Sequence, residues 1–386
     1  MEFETWWLVF LPAFFAAGWF AARWDLRQTI RAARQLPATY FQGLNHLLHD
    51  ENDEAVDALI NVVKLDPDTP ELHFALGTLF RRRGETERAI RVHENLLSRG
   101  DLSISQRQQA LFESGLDYVK AGLLDRAEKA LSQLESTPLA VRAEEQRLLI
   151  AQSVRDWPLA IAICQTLKAD GHAESAKHEL HYRCAQVDDA LNVSPPDLAL
   201  IDSYLSQDLI KANSHPWVLL LRARFHLFQL DAAQAIEVLH RLFERYPNYS
   251  PLAAELWIAS HREQNNAEAA LEQLKIWFNR SPSDDLMVSI AKETLKISGR
   301  SEASKWLAEQ LKNRVSLAGL NEFVHINASA PVLPTNIDLL STQLAGVTVK
   351  GGRYICHHCG FQAKNYYWHC PGCSHWESYQ PSTQAI

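Results

Sequence analysis

Apolar residues recur at helical spacing through residues 35–320, and no stretch there alternates apolar and polar residues as a run of strands would. A second, longer period accompanies the helical one. Gly43 and Gly77 are 34 residues apart, and Ala55 and Ala89 have the same separation. Further small residues continue the series at spacings of 33 to 39 residues: Ala127, Ala160, Ala199, Ala235, Ala270 and Ala303. This period predicts stacked helical hairpins, with an irregular helical bundle as the alternative.

The residues between the small positions match a known repeat. His73, Leu76, Gly77 and Phe80, followed by Ala89, fit the tetratricopeptide pattern, in which two helices of a hairpin cross at small residues. We therefore predict an all-α fold, a tetratricopeptide-repeat superhelix over residues 37–314. It has about eight repeats, the least regular of them over 140–210 and 285–320. The sequence loosens over 315–352, where we expect a terminal helix and a linker.

The N-terminal segment has a different pattern, because residues 5–22 carry no charge and are rich in aromatic side chains. Eighteen helical residues span about 27 Å, close to the roughly 30 Å of bilayer hydrocarbon. We predict a transmembrane anchor over 1–22, in preference to a cleaved signal peptide or a buried soluble helix. Acidic residues precede this segment and arginines follow it: Glu2 and Glu4, then Arg23, Arg27, Arg31 and Arg34. The positive-inside rule then places the N-terminus in the periplasm and the rest in the cytoplasm.

Residues 23–36 form a predicted basic juxtamembrane helix, either against anionic lipid headgroups or simply solvated. The whole chain is acidic, with 38 Lys and Arg against 46 Asp and Glu, which disfavours nucleic acid as a partner. The sequence contains no phosphate-binding loop, nucleophile elbow, zinc-protease helix motif or dinucleotide fingerprint. We therefore predict that the protein is not an enzyme.

Four cysteines near the C-terminus carry the clearest chemistry. Cys356 and Cys359 form one Cys-x-x-Cys knuckle, and Cys370 and Cys373 form a second one ten residues later. Two such knuckles place four thiolates around one metal ion, so residues 353–381 are a predicted metal-binding domain. Iron and zinc both suit four thiolates, and the spacing does not separate them. Four nearby histidines are not needed to complete a tetrahedron: His357, His358, His369 and His375.

The order of these segments, together with two local stretches, resembles one bacterial family. The stretches are Leu76–Glu85 with Arg88–Arg91, and Tyr354–Phe361 with Tyr367–Cys373. They resemble the lipopolysaccharide assembly protein B family of Gram-negative inner membranes, which ends in a rubredoxin-like domain. The resemblance implies iron at the four cysteines, but Ser374 stands where rubredoxin knuckles carry glycine, which leaves zinc open.

The resemblance also implies a function. Members are cytoplasm-facing adaptors that help the membrane-anchored AAA+ protease FtsH degrade the deacetylase of the lipid A pathway, and they are proposed to gather lipopolysaccharide synthesis enzymes. For this chain the hypothesis is an anchored solenoid with a concave partner surface, oriented by the metal module. Candidate partner contacts on the first helices of the repeats are Phe74, Arg81, Arg82, Trp217 and Arg224. The alternatives are a generic membrane tetratricopeptide scaffold or chaperone without a proteolytic role, and a rubredoxin-type electron-transfer protein.

Overall fold

The computed structural model describes residues 69–174, 177–207, 210, 215–314, 316–327 and 354–380, with the isolated positions 15–16, 19–20, 23 and 60. Most of the predicted anchor, the juxtamembrane helix and the repeat around Gly43 and Ala55 lie outside these residues, as does most of the linker before the cysteines. Within the described ranges, no helix is both long and apolar enough to cross a membrane.

The chain divides into two compact units, Met1–Arg155 and Asp156–Ile386. In the described part of the first unit the helices are α1 (Pro70–Arg82), α2 (Thr86–Ser98), α3 (Ile104–Lys120), α4 (Leu124–Ser132) and α5 (Ala140–Val154). The second unit contains α6 (Trp157–Ala169), α7 (Glu179–Asn192), α8 (Leu198–Leu205), α9 (Pro216–Phe228), α10 (Ala232–Arg245), a 3₁₀ turn (Pro247–Tyr249), α11 (Ser250–Glu263), α12 (Ala267–Arg280), α13 (Asp284–Ile297), α14 (Arg300–Asn313) and α15 (Leu317–Asn327). Two short antiparallel strands follow, β1 (Tyr354–Ile355) and β2 (Gln362–Ala363). The all-helical, tetratricopeptide-like class is confirmed.

The repeating alanines occupy one position of the hairpin, the fourth residue of its second helix. Alanines at this position of α2, α4, α6, α10, α12 and α14 are at most 1% exposed: Ala89, Ala127, Ala160, Ala235, Ala270 and Ala303. In α8 the series breaks, because Ala199 is exposed and the fourth residue, Ile201, is buried instead. In this irregular repeat, the start of the helix at the Asp197 cap decides which residue takes the buried fourth position, and the position of the alanine does not.

Two glycines in the first unit allow the helices to approach closely. A Cβ atom on Gly77 would lie 2.4 Å from Nε2 of His93, and one on Gly115 would lie 2.7 Å from Cδ2 of Leu131. Both positions are inside helices, where glycine costs roughly 1 kcal/mol relative to alanine. The close contact between the two helices of a hairpin is the physical reason for glycine at these positions.

One core cluster of the second unit runs from α9 to α15 and includes residues far apart in sequence. Phe243 and Trp277 stack at 3.9 Å between ring centroids, and Trp257 meets Trp277 edge to face at 4.8 Å. Trp368, from the cysteine-containing segment, packs against the same core. The helical solenoid and the small module of residues 354–380 therefore share one continuous packed region.

Candidate metal centre

The two cysteine knuckles have the same backbone hydrogen bonds. The amide of Gly360 donates to the carbonyl of Cys356 at 2.8 Å, and the amide of Ser374 donates to the carbonyl of Cys370 at 2.9 Å. The amide of each first cysteine donates in turn to a carbonyl two residues beyond the second cysteine of its own knuckle, at 2.9 Å. This backbone path turns other amides towards the sulfurs: those of His358 and Cys359 bond the sulfur of Cys356, and those of Gly372 and Cys373 bond the sulfur of Cys370, which favours the thiolate form.

The residue after each knuckle has a left-handed backbone, with φ of 74° at Gly360 and 59° at Ser374. Glycine adopts this conformation freely, whereas a residue with a Cβ pays roughly 1–2 kcal/mol there. Serine at position 374, the departure noted in the sequence, therefore keeps the knuckle geometry at some cost in stability. It does not change the path of the backbone around the cysteines.

The four sulfurs come together as the spacing predicts. Sγ of Cys356 lies 3.6 Å from Sγ of Cys373, and Sγ of Cys359 lies 3.8 Å from Sγ of Cys370. All four lie within 4.8 Å of one another. A tetrahedron with metal–sulfur bonds of about 2.3 Å has edges of about 3.8 Å, so the four residues fit one tetrahedrally bound metal ion.

The thiol pKa values show why a cation suits this cluster. Loss of hydration opposes ionisation of Cys356 and Cys370, but hydrogen bonds from Ser378, from Tyr379 and from knuckle amides prevail and lower both pKa values, that of Cys356 to about 5. Loss of hydration and hydrogen bonds shared with the other sulfurs raise the pKa of Cys373 to about 12. The first two thiolates thus resist formation of the others, and a bound cation relieves that repulsion.

One contact between the module and the solenoid is the sandwiched ring of Trp368. The indole of Trp368 lies parallel to that of Trp217, at the start of α9, with centroids 5.0 Å apart. Its other neighbour is Tyr249, just before α11, also parallel and 5.5 Å away. Trp217 is 5% exposed, so the module covers a residue that the sequence suggested as a partner contact.

A carboxylate next to that sandwich contacts α9 again and adds the repeat that begins with α7. Glu377 lies 3.2 Å from Nε2 of His181 and accepts a short hydrogen bond from Nε2 of His215. These two imidazoles hold the pKa of Glu377 well below its usual range, against a smaller opposing effect of burial. Glu377 has a left-handed φ of 51°, and its amide donates to the carbonyl of Trp368 at 2.7 Å. The docking ring and the docking carboxylate are therefore fixed to each other.

A third contact lies at the other edge of the module. The hydroxyl of Tyr354, at the start of β1, donates to Oδ2 of Asp285 in the first turn of α13 at 3.0 Å. Both residues are 7% exposed. Four of the solenoid residues that contact the module are spaced 36, 32 and 36 residues apart: His181, Trp217, Tyr249 and Asp285. Each stands at or near the start of a repeat's first helix, so the module lies along the edge formed by four successive repeats.

Sequence reasoning missed this docking surface. His181, Tyr249 and Asp285 match no motif, and Glu377 lies outside the knuckles. The available signal was an aromatic or polar residue recurring with the repeat period at helix starts. In a solenoid such residues commonly face solvent, so the pattern alone does not indicate a contact.

The other suggested partner residues have varied surroundings. Arg81 forms ion pairs with Glu113 at 2.6 Å and Asp117 at 2.8 Å, and only 16% of its side chain is exposed. Arg224 forms an ion pair with Asp188. Among the remaining two, Arg82 is exposed and Phe74 is partly buried near His93. Arg82 is thus the best placed of the five for an external partner.

Comparison with known proteins agrees with this architecture. A tetratricopeptide repeat family matches residues 217–249, and a family described as a rubredoxin metal binding domain matches residues 354–381. The lipopolysaccharide assembly protein B of Escherichia coli K12 is 28% identical over 376 residues, and that of Haemophilus influenzae is 25% identical over 390 residues. Each alignment covers 96% of both chains.

Among solved structures, the crystal structure of yeast Tom70 covers 88% of this chain and 83% of its own, with 13% identity and a TM-score of 0.36. The resemblance inferred from the sequence motifs is confirmed: the chain is similar to lipopolysaccharide assembly protein B over nearly its whole length, and it carries both a tetratricopeptide repeat and a rubredoxin metal-binding domain.

Proposed function

We propose that this protein acts in lipopolysaccharide assembly as a non-enzymatic adaptor held at the bacterial inner membrane. Similarity over 96% of both chains to proteins named for lipopolysaccharide assembly supports the pathway. The paired helices support an adaptor, because tetratricopeptide arrays generally present extended surfaces to other proteins. The uncharged segment 5–22 and the arginines after it support a single membrane span with a periplasmic N-terminus.

The proposed partners are the protease FtsH and the deacetylase of the lipid A pathway, whose degradation the adaptor promotes. Other enzymes of lipopolysaccharide synthesis would gather on the same protein. An anchor that confines adaptor and protease to one membrane raises their effective concentration without any additional contact. Arg82 is a candidate contact on the first helix of its repeat.

The observation that carries the adaptor proposal is the docking of the four-cysteine module on four successive repeats. Cys356, Cys359, Cys370 and Cys373 would hold the metal, which when bound links the two knuckles and neutralises thiolate charge. Iron is favoured by the family resemblance, with zinc as the alternative. The knuckles present Trp368 and Glu377 to the solenoid, so metal binding would stabilise the stacking of these four repeats, whose remaining surface is left for partners.

The half-life of the deacetylase after translation is blocked tests this function. We expect a lifetime several-fold longer when the protein is depleted, restored by wild-type protein. Trp368→Leu, which removes the sandwiched ring, should restore it poorly. Tyr367→Leu is the matched control, because Tyr367 is the adjacent ring and is 42% exposed.

An unchanged deacetylase lifetime on depletion would refute the proteolytic role and favour a scaffold for the assembly enzymes. If Trp368→Leu restored the deacetylase lifetime as well as the wild type does, docking of the module would not be required for the function. Membrane fractionation of all variants checks that each reaches the membrane in equal amount.

A further inference from the structure

The metal module carries a second group of metal-binding side chains on its solvent side. The rings of His358 and His375 stack with centroids 3.4 Å apart and planes 19° from parallel, and both residues are exposed. One ring nitrogen of each and Sγ of Cys373 lie within 4.8 Å of one another. The first knuckle supplies one histidine, and the residues just after the second knuckle supply the other, so the module's fold creates the group.

We propose that His358, His375 and Cys373 form a second, outer cation site that takes a borderline divalent cation such as Zn²⁺ from solvent. The site goes beyond the four-thiolate centre and beyond the proposed adaptor function. Imidazole and thiolate together suit zinc, and three protein donors leave a fourth position for water. The sulfur of Cys373 would be shared between the two sites, and Cys373 is only partly buried.

The hydrogen bond of His375 leaves a nitrogen available. Its Nδ1 lies 3.1 Å from the carbonyl oxygen of Cys373, and because a carbonyl only accepts, Nδ1 carries the proton. The lone pair is then on Nε2. Metal-binding histidines characteristically donate their other ring N–H to a backbone carbonyl or carboxylate in this way, which fixes both the tautomer and the ring orientation.

A second cluster has donor atoms equally close together, but one of its histidines has no ring nitrogen available for a metal. His181, His215 and Glu377 also offer donor atoms within 4.8 Å of one another. However, Nδ1 of His215 accepts the amide N–H of Trp217 at 3.3 Å, at the start of α9, so its proton is on Nε2, which faces Glu377. Metal binding there would require this helix cap to be given up. That cluster is a hydrogen-bonded contact between module and solenoid.

The charge of the inner centre favours the outer site. Four thiolates exceed the charge of any divalent ion among them, so the centre remains net negative when filled. A cation a few ångströms away at His358 and His375 is attracted to that charge, and the exposed rings leave a path from solvent. Because the shared thiolate of Cys373 supplies negative charge to the outer site, that site needs no acidic residue of its own.

Zinc stoichiometry tests the proposal. The full chain is purified, stripped of bound metal, reconstituted with Zn²⁺, dialysed and analysed for zinc per chain. We expect two zinc ions for wild type and for His357→Gln, whose exposed side chain is the adjacent control outside the cluster. His358→Gln and His375→Gln should each retain one. A single zinc in the wild-type chain, or a second zinc retained by both variants, would overturn the site.

Two further measurements locate the second zinc ion within the chain. His181→Gln should keep both zinc ions, and loss of the second ion there alone would place it in the other cluster and refute the proposal. If a histidine variant releases both ions, the second zinc ion is instead located in the wild-type chain, by NMR of the histidine rings. The second equivalent of zinc should shift the signals of His358 and His375 and leave those of His357, and unchanged signals at both would refute the site.

Discussion

The substitution Trp368→Ala should detach the metal module from the solenoid while leaving the cysteine knuckles folded. The ring of Trp368 lies between Trp217 and Tyr249, parallel to both within 7°. Stacked aromatic pairs contribute about 0.5–1.5 kcal/mol each beyond area burial, so the two pairs together contribute about 1–3 kcal/mol. Loss of the apolar contact area adds to this. Because Trp368 is only partly buried, we expect a total of about 3 kcal/mol, the lower end for Trp→Ala in a core.

A loss of about 3 kcal/mol raises the undocked population roughly 100-fold, since about 1.4 kcal/mol corresponds to a factor of ten. The amide of Trp217 reports on this equilibrium. It is capped by Nδ1 of His215, and the opposite nitrogen of that ring is held by Glu377. Undocking releases Glu377, and with it the constraint on the capping ring.

Hydrogen exchange measured on the full chain is the assay. Exchange at the Trp217 amide should rise by up to roughly 100-fold in Trp368→Ala, because exchange follows the population of the open state. In Tyr367→Ala it should stay at the wild-type rate. Equal exchange in Trp368→Ala and wild type would refute the claim that this ring holds the module, as would an equal increase in both variants. Retention of the metal by Trp368→Ala shows that the knuckles remain folded.

Three other changes test separate parts of the structure. Glu377→Gln should lower the melting temperature at pH 7, because the ionised carboxylate stabilises the folded state. The pKa of Glu377 is depressed by folding, so this stabilisation is complete above about pH 4.5 and is lost as the pH falls further. The melting temperatures of the variant and the wild type should therefore converge in acid. Cys359→Ser should reduce bound metal and unfold the module, seen as faster exchange at residues 354–380 with the solenoid helices unchanged. Gly77→Ala should destabilise the first unit by about 1–3 kcal/mol in urea unfolding, because the new Cβ meets His93, whereas Gly100→Ala, with open space around it, should be near neutral.

The docking contacts give the metal a structural consequence outside its own module. Trp368 lies two residues before Cys370, and Glu377 lies four residues after Cys373. The second knuckle therefore sets the separation of the two groups that contact the solenoid, and the backbone bond from Glu377 to Trp368 closes that turn. Loss of the cation would loosen the knuckle and both contacts together. Because the cation would bind the docked, folded module more tightly than the loosened one, its binding free energy would add to the stability of the docked state.

Several features could be predicted because they depend on short stretches of sequence. Cys-x-x-Cys knuckles bring their own sulfurs together by local turns, so spacing alone indicated a four-thiolate centre. The small residue of each hairpin follows from a helix crossing within about 34 residues, which the period reveals. Where one repeat is irregular the period misled: the buried position of α8 is Ile201 and not Ala199, because the helix start had shifted.

The amino-acid sequence by itself determined the helical hairpins, the four-cysteine centre and the family resemblance, since each depends on residues close along the chain. Only the tertiary structure decided that Trp217 is covered by Trp368, 151 residues away, and that Glu377 lies between two imidazoles from different repeats. It also decided that Arg81 is engaged in ion pairs within its own unit. Contacts of this kind depend on how helices distant in sequence stack. The sequence around a single aromatic or charged residue in a solenoid is the same whether that residue faces solvent, a partner protein or the metal module.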